Sequence, residues 1–286
     1  MKSLLEIERA INFIELHLHE PLTIRDAAAA AGYSLYHFCR LFNGLTGHSP
    51  YDYIMRRRLS EAAKALVENR RTVTEVALDF QFNSPETFSR AYFKLFGQLP
   101  HVTKQNRHLG GMILKARITL EYLEHIGVRQ PLVAEMIQLP AFCLTGIVTR
   151  DPATCSEQRL LHNALLGKNR QNPEDCYAVY FEPVDQDSIG GAVLIGSVTK
   201  RRVATPDIMV EKAFPAQAYA RFIHKGCRTK LNLTFAFILQ TWLPKSGCRW
   251  GAPYILAGYA SRESLLEDNG DAGEFTVLVP LKACVN

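Results

Sequence analysis

Two arginines fifty positions apart in matching surroundings, Arg40 and Arg90, carry the clearest chemistry in this 286-residue chain. A guanidinium is a planar fork of donors that meets guanine O6 and N7 at two points. Ser34, Tyr36, His37 and Cys39 stand around Arg40, and Pro85, Glu86 and Thr87 stand before Arg90. Glu86 either accepts a bond from cytosine N4 or favours a helix N-terminus. Between the two groups lies Arg56-Arg57-Arg58, which suits phosphates or a solvated helix face equally. A different chemistry is conceivable at His224 and Cys227, since an imidazole can activate a thiol. Those two flank Lys225-Gly226 at a strand end, with no third group evident to orient the histidine.

The elements that hold the first set are regular. Thr23-Ile24-Arg25-Asp26 reads as a helix start, with a hydroxyl cap and an acid in the first turn. Ala27 to Ala31 let another helix approach closely, and Gly32 takes the positive φ of a sharp turn. The next helix puts Leu35, Phe38, Leu41 and Phe42 on one side and Tyr36, Cys39 and Arg40 on the other. This is the layout of a helix-turn-helix, whose second helix can lie in the DNA major groove. Thr46-Gly47-His48-Ser49-Pro50 turns the chain into a helix reaching Glu68, with Tyr51, Ile54, Met55, Leu59, Ala62, Ala63 and Leu66 on its buried side. The layout then recurs: Thr72–Phe80 as capped helix, Gln81-Phe82-Asn83-Ser84 as a turn one residue longer, and Pro85–Phe96 as second helix. A repeat of about 50 residues is therefore visible within one chain. The helix between the repeats would be roughly 27 Å long at about 1.5 Å per residue. That length holds two recognition helices near the ~34 Å between successive major grooves on one face of B-DNA.

Residues 5–105 resemble the AraC/XylS family of bacterial transcription regulators. The resemblance rests on Ala31-Gly32-Tyr33-Ser34, Leu41-Phe42, Thr46-Gly47 with Pro50, Arg57-Arg58-Leu59, Val76-Ala77, Phe82-x-Ser84, Thr87-Phe88-Ser89-Arg90 and Phe93-Lys94-Leu95-Phe96-Gly97, with Pro100 closing the domain. It implies that Ser34, Tyr36, His37, Cys39, Arg40, Arg57, Pro85, Glu86, Thr87 and Arg90 bind DNA. Gln81 departs from a common glycine, and Cys39 and Pro85 stand where relatives use glutamine. A different base preference is expected.

His101 to Gly111 is polar and marks a boundary. Met112 to Ile126 reads as a connecting helix, although Arg117-Ile118-Thr119 could equally begin an extended segment. From Val133 strands and helices alternate: a bent strand or strand pair over 133–149 interrupted at Pro140, a helix over 157–168, strands at 176–181 and 192–198. The order repeats with a strand over 208–224 broken at Pro215, a helix over 229–243 and strands at 254–259 and 274–282. The expected fold is thus an α domain with two helix-turn-helix motifs joined by a long helix, then an α+β domain of two β-α-β-β units. The boundaries are 1–108, a connector at 109–132, and 133–286.

The second half resembles the GyrI-like small-molecule-binding domains. It does so through Leu139-Pro140-Ala141, Tyr219-x-x-Phe222-x-His224-Lys225-Gly226, Trp242-Leu243-Pro244-x-Ser246-Gly247, Pro253-Tyr254 and Val277-Leu278-Val279-Pro280-Leu281. The resemblance implies an aromatic-lined cleft, with Phe222, Trp242, Tyr254 and Tyr259 as candidate ligand-binding residues; for each, a core role is the alternative. Relatives that bind lipophilic cations carry a glutamate where this chain has Ala257. A buried carboxylate is what holds such a cation, so a cationic effector is not expected.

Composition bounds the rest. The chain is 47% hydrophobic and 21% charged, with a net charge of +5, mild enough that placement must carry any nucleic-acid argument. No apolar run approaches the roughly 20 residues that span a bilayer, and the N-terminus lacks a signal-peptide pattern. Seven cysteines without Cys-x-x-Cys argue against a disulfide framework and structural zinc, and favour the reducing cytoplasm. No cofactor or metal is expected. The expected function is a sequence-specific transcriptional regulator that binds double-stranded DNA and RNA polymerase, modulated through its second domain. The alternatives make that domain a protein-interaction module without ligand, or a small-molecule hydrolase.

Overall fold

The computed structural model describes residues 2–68, 71–128, 132–149, 176–181, 192–199, 209–259 and 273–282. The chain divides into two compact units, Met1–Gln130 and Pro131–Asn286.

The first unit is helical: α1 (Lys2–Leu16), α2 (Ile24–Ala30), α3 (Leu35–Thr46), α4 (Pro50–Glu68), α5 (Val73–Asp79), α6 (Pro85–Phe96), α7 (Pro100–Asn106) and α8 (Leu120–Val128). One half buries Ile7, Ile11 and Ile14 of α1 with Ala27, Ala28, Phe38, Phe42 and Tyr53. The other gathers Leu59, Ala63, Leu66, Val76, Ala77, Phe80, Phe88 and Tyr92. Because α4 serves both halves, it has almost no solvent face: Arg57, Arg58 and Ser60 are buried alongside Ile54, Leu59 and Ala62. A reading that assumes one buried stripe therefore misassigned Tyr51, which is 62% exposed, while Tyr53 is fully buried.

The connecting helix is shorter than expected. Residues 112–119 are non-helical, and α8 begins only at Leu120. Met112 and Leu114 join the core beneath α4 and α6, and Ile118 is fully buried. The Lys115 N–H donates to Ser60 Oγ at 2.8 Å and the Ile118 N–H donates to Tyr53 Oη at 3.2 Å. This strap is satisfied by side chains of α4 where a helix would have bonded to itself.

The second unit is one antiparallel sheet. Its strands are β1 (Glu135–Leu139), β2 (Phe142–Thr149), β3 (Cys176–Phe181), β4 (Val193–Thr199), β5 (Val210–Phe214), β6 (Gln217–Lys225), β7 (Arg249–Trp250), β8 (Tyr254–Tyr259) and β9 (Glu274–Lys282). The order is β1-β6-β9-β8-β3-β4-β2-β5, with β7 on the end of β9. Helix α9 (Leu231–Phe237) follows β6 and continues as wider and tighter turns through Lys245. The helix expected at 157–168 lies outside the described residues. Gly146 and Gly196 face each other across β2 and β4; a β-carbon on Gly146 would sit 2.0 Å from the Ile195 carbonyl oxygen. Only glycine permits that approach. Contrary to the expectation of reduced cysteines, Cys248 is disulfide-bonded, whereas Cys39, Cys143, Cys176 and Cys227 are free.

Candidate nucleic-acid interface

The first unit builds the same motif twice. Thr23 Oγ1 accepts the Asp26 N–H at 3.2 Å, and the Asp26 carboxylate accepts the Thr23 N–H at 2.9 Å. Thr72 and Glu75 repeat this reciprocal cap at 3.2 and 2.6 Å, pairing one orphan amide at each end of the cap. These bonds hold both acids below their ordinary carboxylate range. Both first helices close in left-handed residues, Gly32 at φ 75 and Gln81 at φ 64. In each turn two amides reach back: Gly32 and Tyr33 to the Ala29 and Ala28 carbonyls, Gln81 and Phe82 to those of Leu78 and Ala77.

The second helices then coincide at an offset of fifty. Phe38 matches Phe88 and Phe42 matches Tyr92, all four fully buried. Gly47 and Gly97 end the helices at φ 72 and 73, bonding to the carbonyls of Asn43 and Phe93. Pro50 and Pro100 open the next helices. With those aromatics inward, Tyr36, His37, Arg40, Glu86, Thr87 and Arg90 are exposed, while Cys39 and Pro85 are half-buried. Tyr36 is 80% exposed. Asn43 and Phe93, one turn beyond the arginines, are exposed as well; three-residue spacing from Arg40 and Arg90 was the signal that could have found them.

The two helix starts differ. Ser84 Oγ accepts the Thr87 N–H at 3.2 Å, whereas Ser34 makes no such cap bond and is exposed. Tyr33 Oη donates to Glu6, and its ring lies tilted against that of His37 at 4.8 Å, which fixes the first turn against α1. Glu86 stays ionised, held down by Ser84, its own backbone and Arg90.

Arg57 does not belong to this surface. It is 6% exposed, with Nε and Nη2 on the Glu15 carboxylate at 2.9 and 2.8 Å. Its Nη1 bonds the Lys115 carbonyl at 2.6 Å and lies 2.9 Å from Glu61 Oε1. The neighbours are committed too: Arg58 to the Leu18 and Glu20 carbonyls, Arg56 to Asp52. Arg57 and Arg58 are internal cement, and Arg56 is a half-buried partner of Asp52.

In the second unit the three aromatic candidates with described side chains divide between the two faces of the sheet. Phe222 is fully buried and meets Trp242 edge-on at 5.0 Å, beside the helical segment. Tyr254 lies with Tyr219, three positions from Phe222 and so on the other face of the sheet. Their hydroxyls are 3.1 Å apart and both are bonded by Gln217. Burial and the Tyr219 hydroxyl raise the Tyr254 pKa. The side chain of Tyr259 lies outside the described residues. Ala257 is fully buried, paired with Ala178 and Val277. His224 gives no base to Cys227: its ring nitrogens face Thr234 Oγ1 at 2.7 Å and the Cys227 carbonyl at 3.1 Å. Among the described residues no cluster of His, Cys, Asp and Glu could hold a metal, and no helix is long and apolar enough to cross a membrane.

Comparison with known proteins gives two family matches: a helix-turn-helix domain over residues 27–106 and a GyrI-like small molecule binding domain over 158–262. The chain is 35% identical over 143 residues to the Right origin-binding protein of Escherichia coli K12, covering 46% of this chain and 50% of that one. It is 35% identical over 94 residues to the regulatory protein SoxS of the same strain, covering 33% of this chain and 88% of SoxS. The Tn10 TetD protein of Escherichia coli is 36% identical over 101 residues, 35% of this chain and 73% of TetD. The chain thus spans about half the length of the first of these relatives.

Proposed function

Because the chain belongs to the AraC/XylS family and carries a GyrI-like domain, we propose that it is a sequence-specific transcriptional regulator reading two successive major grooves with α3 and α6. The observation that carries this reading is the doubled motif, in which two reciprocally capped first helices, two left-handed turns and two second helices ending in left-handed glycines recur within one compact unit. Tyr36, Cys39 and Arg40 on α3, with Ser34 and His37 beside them, contact one half-site. Pro85, Glu86, Thr87 and Arg90 on α6 contact the other. Arginine reads guanine at two points, and Glu86 is placed to accept from a cytosine amine. A single chain then recognises an asymmetric site without a symmetric partner.

The unit after about residue 132 modulates this activity by taking a small molecule, in the cytoplasm where DNA and RNA polymerase are met. Ala257 offers no charge to a lipophilic cation, so the effector is neutral or anionic. The separation of Phe222 and Trp242 from Tyr254 supports one face of the sheet, not both, as its seat.

Footprinting tests the whole reading. A protected site of roughly 20 base pairs with two major-groove contacts one turn apart is expected; binding indifferent to sequence overturns it. A thermal-shift series against neutral, anionic and cationic compounds tests the effector, since a ligand of the native state raises stability.

A further inference from the structure

Gln81 occupies backbone that favours glycine. At φ 64 it carries a side chain where the first motif has Gly32 at φ 75, in a region that L-residues enter at a cost. A β-carbon at Gly32 would meet nothing within 4 Å, so the first turn has room for a side chain and simply has none. The second turn puts its side chain to a specific use. Gln81 Nε2 donates to the His19 carbonyl at 2.7 Å, across 62 residues.

His19 belongs to the turn that ends α1, and that turn is where the two halves of the unit meet directly. Arg58 on α4 donates to the Leu18 carbonyl at 2.9 Å and the Glu20 carbonyl at 2.7 Å. The His19 ring lies 4.4 Å from that of Phe80, and its Nδ1 is 3.2 Å from Asp79, which Arg71 also bonds at 2.8 Å. Three consecutive carbonyls are thus held by the spacer helix and by the turn of the second motif. A single helix between two bodies sets their distance but leaves them free to twist about it. Attachments off that helix restrict the twist: the strap at residues 112–118 is one, and this turn, reaching directly to the turn of the second motif, is another.

We propose that Gln81 is a positioning residue for DNA recognition: its amide bond to His19 fixes the angle between α3 and α6, and so the one half-site separation that the chain accepts. This rests on the reading that both helices enter DNA. Gln81 itself touches neither base nor phosphate in this role.

The test uses the full chain and its footprinted site, with one or two base pairs inserted or removed between the half-sites. Wild type should lose about tenfold or more in affinity for each such change, equivalent to about 1.4 kcal/mol. Gln81→Gly keeps the left-handed turn without strain, and Gln81→Met keeps the length and the strain; both lack the N–H. Each should bind the parent site within about threefold of wild type while its spacing penalty shrinks to under about threefold. Gln81→Lys, which retains a donor of similar reach, should restore the penalty. If Q81G and Q81M both keep the wild-type penalty, the positioning role is overturned. Loss in Q81G alone assigns the effect to the backbone and overturns the role of the amide. A wild-type protein indifferent to spacing overturns the two-groove reading instead. Should Q81M fail to fold, the Q81G and Q81K pair decides, since glycine suits this turn.

Discussion

Arg57 of α4 and Glu15 of α1 meet in a two-point ion pair, with side chains 7% and 9% exposed. Burial alone would lower the Arg57 pKa, but the bond and charge of Glu15 more than offset that and raise it. Removing one partner of such a pair strands the other. Arg57→Ala should destabilise the DNA-binding unit by roughly 3–5 kcal/mol, read from urea unfolding. A variant with wild-type stability and weakened DNA affinity would return Arg57 to the interface.

The strap makes its own prediction. Tyr53 Oη donates to Glu15 at 2.7 Å and accepts the Ile118 N–H. Tyr53→Phe leaves that buried amide unpaired, at a cost of roughly 1–3 kcal/mol. Hydrogen exchange at Ile118 should accelerate; unchanged protection there counts against the strap as part of the fold.

Acid should loosen the same unit. Burial holds His48 neutral, bringing its pKa from 6.5 down to about 4 despite Asp52 bonded to it, with Lys115 and Arg56 adding to the shift. Burial alone would raise Asp52, but His48 and Arg56 bring it from 3.8 down to about 2. Both folded values are depressed, so this stability is complete above pH 6.5 and shrinks as pH falls. Between pH 6.5 and 4 the unfolded chain takes up a proton on His48 that the fold refuses, worth roughly 3 kcal/mol. Below about pH 4 Asp52 continues the trend. His48→Gln should flatten the upper part of the urea-midpoint profile; the same slope in that variant would assign the effect elsewhere.

On DNA, Arg40→Ala should cost roughly 1–3 kcal/mol at the cognate site and relax preference at one base pair. Competition binding against single-base variants measures both. Uniform weakening across all sequences would make Arg40 a phosphate contact.

In the sheet, Gly146→Ala forces its β-carbon into the Ile195 and Gly196 backbone, at 2.0 and 2.6 Å. Backbone cannot step aside as a side-chain end can. A loss of at least 1–3 kcal/mol, on the order seen for overpacked sites, should appear in the thermal unfolding of the second unit; a neutral result would show that the two strands can part there.

Much of this was legible from the sequence because it is local. Caps at Thr23 and Thr72, the left-handed turn at Gly32, and inward Phe38 and Phe88 are decided within one or two helical turns. The strands at 176–181, 254–259 and 274–282 were read with their observed limits, since alternation and turn residues bound them. Local pattern thereby determined the repeated motif, and with it the family.

What it could not determine depends on groups far apart in the chain. Arg57 looked like one of three basic side chains on a helix face until Glu15 and the Lys115 carbonyl, 42 and 58 residues away, closed around it. The segment after Met112 carried helix-like spacing, yet α4 offered its amides Ser60 and Tyr53 as partners. Phe222 and Tyr254 shared a residue class but not a face. Gln81 read as a mere departure from glycine until its amide was seen on His19. A side chain's type sets which bonds it can make; only the fold decides which partner arrives, because partners such as Glu15, Lys115 and His19 lie tens of residues away in the chain.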